Sequence, residues 1–149
     1  MAKSKTTDTC CLTLPLKLEK WQEDRLSKRF EIARQIYNTL VRAELKKLRQ
    51  VEQSAEYRQI QEKLREMYQK DATKTKEFKE MKKRRRDFLE EAGFNRNGFK
   101  SAMKNYYKHF KENIGSNIAC HEIAFRVWLA FDKKLYGNGE KVHYKSPGD

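Results

Sequence analysis

The chain opens on a run in which every second residue is leucine: Leu12, Leu14, Leu16 and Leu18 alternate with Cys11, Thr13, Pro15 and Lys17. Period two puts the four leucines on one side of an extended segment and predicts a half-buried strand over 11–18, within a strand segment at 10–19. Pro15 falls on the opposite side and has no N–H, which suits an edge strand. From about Lys20 the period lengthens. Leu26, Phe30, Ala33, Tyr37 and Leu40 step by three and four, and Leu45, Leu48 and Val51 continue the stripe, which predicts one long helix over about 20–50.

Ser54 offers an N-cap for a second helix with Tyr57, Ile60, Leu64 and Met67 or Tyr68 on its apolar side. Thr73 or Thr75 offers one for a third, carrying Phe78, Met81, Phe88 and Leu89, with Gly93 placed to end it. Phe94-Asn95-Arg96-Asn97-Gly98 reads as a turn, with Asn97 as the cap of a fourth helix. The apolar face of that helix is Phe99, Met103, Tyr106, Phe110 and Ile114, and Gly115 breaks it. Ser116 or Asn117 starts a fifth helix that ends near Tyr136. Its band of Ala119, Cys120, Ile123, Ala124, Val127, Trp128, Phe131 and Leu135 is wide and predicts the most buried helix of the set. After the turn Gly137-Asn138-Gly139, Val142 and Tyr144 alternate with His143 and Lys145 in a second short strand within 137–149. Residues 1–9 are polar and expected to be disordered. Two strands flanking residues 20–136 make a poor sheet by themselves, so their pairing partners are missing from the pattern.

Charge changes this picture from a fold to a partner. Lys and Arg number 34 against 21 Asp and Glu, for a formal net charge of +13. Phosphate backbones and anionic membranes are the common sinks for such a field. High charge alone would suggest disorder, but hydrophobic residues make 38% of the chain and recur at helical spacing, which argues for a folded domain with a charged solvent face. No run approaches the roughly 20 apolar residues of a membrane span, and the first residues lack a secretory pattern. A cytoplasmic location with reduced cysteines is expected.

Two basic groups stand out. Lys79, Lys82, Lys83, Arg84, Arg85 and Arg86 form the densest cluster, to be weighed between phosphate contact and a merely solvated helix face. In the fourth helix Arg96, Lys100, Lys104, Lys108 and Lys111 recur every three or four residues as a ridge separate from the apolar face. Tyr107 falls beside the ridge, where a ring stacks on a base or lies against a sugar. Metal chemistry is not expected. Cys10 and Cys11 are adjacent, as are Cys120 and His121, while His109 and His143 stand alone, and none has the ligand spacing of a structural zinc site. Glycine-rich phosphate loops, a nucleophile elbow and an acidic metal constellation are all absent from the sequence, so no catalytic residue and no cofactor is predicted.

The stretch from Tyr106 to Lys145 resembles the TnpB-like transposon-encoded RNA-guided nucleases, compact relatives of type V CRISPR effectors. The match is carried by Ala119–Tyr136 running into Gly137-Asn138-Gly139-Glu140-Lys141-Val142-His143-Tyr144. The opening is similar too: alternating leucines, then a long helix bearing Ala33-Arg34 and Tyr37-Asn38. The resemblance implies that 11–18 and about 140–145 are strands of a small wedge barrel and that the helices form its inserted recognition lobe. The expected fold class is therefore mainly α: about five helices inserted between two β-strands of an incomplete small β-barrel. Family members hold a guide RNA and its heteroduplex with target DNA, which are the expected partners here, with a separate nuclease subunit as a further one. The family's RuvC-type nuclease domain follows the matched region, so no catalytic residue carries over.

A second reading fits the same residues. The long first helix would pair with a partner helix, making the chain a helical protein–protein interaction module or regulator with generic basic charge. The two readings differ in the fate of the apolar stripe, which a lobe buries and an interaction module leaves open.

Overall fold

Side chains stand in for missing backbone partners at the starts of three helices. Ser54 accepts from the Tyr57 N–H, Thr75 from the Phe78 N–H and Asn95 from the Gly98 N–H. These caps help delimit the five helices of a computed structural model that describes residues 11–115 and 117–148: α1 (Lys20–Gln53), α2 (Ala55–Gln69), α3 (Lys76–Glu91), α4 (Arg96–Ile114) and α5 (Asn117–Tyr136). The cap of α4 is Asn95 rather than the expected Asn97. Asn95 has the extended backbone a cap requires, while Asn97 already lies within the first turn. Residues 1–9, Cys10 and Ser116 lie outside the described residues.

Helix α5 lies against both α1 and α4, with Cys120, Ala124, Val127, Phe131 and Leu135 buried. An aromatic group fills the junction: Phe99 lies 5.2 Å from Phe131 and 5.6 Å from Trp128 between ring centres, and Phe94 stacks on Phe131 at 6.0 Å. Phe94, read from sequence as a turn residue, is fully buried. The turn that carries it is tight. A Cβ on Gly98 would stand 2.0 Å from the Gly93 carbonyl oxygen, so only glycine lets the two backbones meet there. A smaller cluster of Ile60, Leu64 and Phe78 holds α2 to α3, with Met67, Met81 and Phe88 packed on it.

The two predicted strands are not formed. Among the described residues there is no strand, so the fold class is all-helical and not a helical insertion between strands of a β-barrel. Leu12, Leu14 and Leu16 are 82%, 72% and 75% exposed on a segment with no regular structure and no neighbouring ladder. Alternation chooses a face, but a strand also needs a second backbone to pair with. The C-terminal segment pairs instead with side chains of α1: Asn38 and Arg34 take the backbone of Lys145. Val142 is buried as an anchor of this extended segment.

Helix α1 is also read differently at its start. Its buried residues are Ile36, Tyr37, Leu40, Val41, Glu44 and Leu48, while Phe30, expected on the core side, is 69% exposed. The first half of α1 borders an open groove instead of a closed core.

Candidate nucleic-acid interface

The fourth helix divides its residues by face. Phe99, Met103 and Ile114 are buried, and α4 packs most extensively on α5. The i, i+4 steps leave Lys100, Lys104 and Lys108 exposed on the outside, with exposed Lys111 one step further on. Successive lysines four apart advance by about 6 Å along the axis. Phe110 departs from helical geometry, with φ −108° and ψ 16°, so Lys111 follows a bend in the ridge. Gly115 ends the helix with φ 74°, a left-handed conformation that glycine adopts without cost.

Among the described residues no ion pair involves Lys100, Lys104, Lys108 or Lys111. Lys100, Lys104 and Tyr107 line one small groove of about 120 Å³ with Asn117 and His121 of α5. Tyr107 is half-buried there, beside the ridge where the spacing placed it. The groove thus joins two cations, a phenol and an imidazole, all able to donate to phosphate or sugar oxygens. His121 was not expected in this setting. Its signal in the sequence was only its place on α5 next to the buried Cys120. Burial raises the Cys120 thiol above its ordinary pKa, which keeps it protonated and unreactive.

Arg96 leaves the ridge. Its guanidinium lies 4.4 Å from the centre of the Phe125 ring, against α5.

The α3 cluster is split by the helical turn, since neighbouring residues point about 100° apart. Arg84 pairs with Glu56 of α2 at 3.1 Å. Arg85 donates to the Leu135 carbonyl at 3.1 Å and to the Tyr57 hydroxyl at 3.4 Å, fastening α3 to the end of α5 and to α2. Arg86 lies 4.9 Å from the Tyr136 ring centre and pairs with Glu90 at 3.8 Å. Lys82 stands 5.5 Å over the ring of Phe78. Lys83 and Lys79 are exposed, and among the described residues neither forms an ion pair. Each of the three arginines thus has a partner within the fold, while Arg84 and Arg86 stay largely exposed to solvent.

A third basic surface was missed from sequence. Arg58 and Arg65 of α2 face an open cleft of about 860 Å³ that also reaches Lys82 and Arg85 of α3 and Lys134 of α5. The i, i+7 spacing of Arg58 and Arg65 is its only signal in the sequence.

Among the described residues, no group of three or more His, Cys, Asp or Glu comes together to hold a metal ion. Nor is any helix long and apolar enough to cross a membrane. No protein-family model matches the chain, and no curated protein or solved structure is significantly similar to it.

Proposed function

We propose that the chain is a nucleic-acid-binding recognition module of the TnpB-like RNA-guided endonuclease kind, holding guide RNA and guide–target duplex mainly through α4. The observation that carries this reading is the ridge of Lys100, Lys104, Lys108 and Lys111, exposed on one face with no carboxylate paired to it among the described residues. Such a row neutralises successive phosphates and gains free energy by releasing their counterions. Tyr107, Asn117 and His121 sit beside it to contact sugars or bases. Sequence choice is left to base pairing between guide and target, and strand cleavage belongs to a nuclease domain or subunit elsewhere. The resemblance over Tyr106–Lys145 and at Ala33–Asn38 supports the lineage.

Binding of the labelled ligands structured RNA, RNA–DNA hybrid and DNA duplex tests this reading. Tighter binding to RNA and hybrid than to DNA is expected. Weak and equal binding to all three would reduce the ridge to generic basicity.

One observation favours the second reading, a protein-interaction module. Leu26, Phe30 and Ala33 of α1 face Ile114, Ala119 and Ile123 across an open apolar groove of about 430 Å³. An oligomer or complex that persists in high salt would support that role, since apolar association is not screened.

A further inference from the structure

The cleft between α2 and α3 has a chemistry that the ridge on α4 lacks. Five cationic side chains and two carboxylates line it, leaving a positive balance in a concave site of about 860 Å³. The carboxylates are Glu52 and Glu62, and no ion pair among the described residues joins either to a cation of the cleft.

At one end of the cleft stands Tyr57. Its hydroxyl accepts from Gln61 Nε2 at 2.8 Å and from Arg85 Nε at 3.4 Å. A phenolic oxygen that accepts twice keeps its own hydrogen to donate. Among the described residues no acceptor takes that hydrogen, although Tyr57 is only 4% exposed. Tyr57 lines the open cleft, so this hydrogen is available to an acceptor that enters it. Arg85 is fixed beside it by its bond to the Leu135 carbonyl, which sets a guanidinium and an O–H side by side. That pair fits a phosphate oxygen.

At the other end stands Tyr68, 58% exposed and braced perpendicular to Phe78 with ring centres 5.0 Å apart. A rigid aromatic ring open to solvent, rimmed by Arg65 and Lys82, is the arrangement on which unpaired bases stack. Paired bases in a duplex present no face to such a ring.

We infer that this cleft binds single-stranded nucleic acid, with a phosphate at Tyr57 and Arg85 and a base on Tyr68. The inference deepens the nucleic-acid reading and rests on it for the class of partner, but it uses different residues from the α4 ridge. A single strand entering here would be the unpaired part of a guide RNA or the strand displaced by pairing. Both carry the same phosphate and base chemistry, and the two differ only at the ribose 2′-hydroxyl.

The test measures full-length Tyr68→Ala, Tyr57→Phe and parent chain against three probes: a labelled single-stranded RNA decamer, the same sequence as DNA, and a labelled RNA duplex. Circular dichroism checks that the variants fold. Loss of the stacking ring is expected to weaken single-strand binding about tenfold, with duplex binding unchanged. Tyr57→Phe keeps the ring and removes the hydroxyl, with its free hydrogen and the bonds it accepts from Gln61 and Arg85, so it is expected to weaken single-strand binding by a smaller factor. Preference for RNA over DNA would point to the guide, and equal binding to the displaced strand. Folded variants that bind single strands as the parent does would overturn the cleft. Parent binding to single strands but not to the duplex would sink the ridge reading and leave the cleft standing.

Discussion

Asn38 and Lys145, more than a hundred residues apart, exchange a pair of hydrogen bonds. The Asn38 Oδ1 accepts from the Lys145 N–H at 2.8 Å, and its Nδ2 donates to the Lys145 carbonyl at 2.9 Å. The amide thus does for one residue what a neighbouring strand would do, and Arg34 adds a third bond to the same carbonyl at 3.1 Å. The C-terminal segment is held on α1 by side chains instead of by a sheet.

Replacing Asn38 with Ala removes both bonds while Arg34 remains. The unfolding free energy is expected to fall by about 1–2 kcal/mol, the net worth of two such bonds. Hydrogen exchange at the Lys145 amide is expected to accelerate, whereas amides in α4 and α5 keep their protection. Denaturant unfolding and exchange measured together check this.

Glu44 gives a pH-dependent prediction. It is 7% exposed on the buried side of α1, and its Oε2 lacks a hydrogen-bond partner. Burial raises its pKa, and Lys47, 3.8 Å away, only partly opposes the shift. The folded chain therefore holds this proton more tightly than the unfolded chain. Ionised Glu44 costs stability above its folded pKa, and that cost vanishes as pH falls below the ordinary value of 4.5. Glu44→Gln is expected to stabilise the fold by about 1 kcal/mol at pH 7. The gain should shrink towards zero in melts below pH 4.

The leucine run makes a third prediction. Leu12, Leu14 and Leu16 are exposed, so converting all three to serine removes no core contact. The unfolding free energy from denaturant titration is expected to change by no more than about 0.5 kcal/mol, the range typical of surface changes. A large loss of stability would show that these leucines are buried in the working fold.

Much of the helical layout was legible because its signals are local. Ser54 and Thr75 cap the helices their positions announced, and Gly93 and Gly115 follow helix ends in left-handed conformations. The strands were misread because period two specifies a face and says nothing about a partner backbone. Phe94 was hidden by the turn residues around it, and the exposure of Phe30 depends on contacts with other helices that its own spacing does not report. The basic surfaces were legible in the same uneven way. Spacing alone put Lys100, Lys104 and Lys108 on one face, because all lie within a single helix. It had no means of revealing that Arg85 finds its acceptor at Leu135, fifty residues later, or that Arg58 and Arg65 share a cleft with it. Contacts between helices decide which cations remain open to a ligand.

If the α4 lysines meet phosphates, RNA binding by the chain must depend on salt in proportion to the contacts they make. The measurement compares the parent chain with Lys104→Ala/Lys108→Ala, titrating a labelled structured RNA across a range of salt concentrations. Two lost phosphate contacts are expected to lower the slope of log K against log[salt] by about 2 and to weaken binding similarly for every sequence tried. A folded double variant with the same slope and affinity as the parent would mean that these lysines do not meet phosphate.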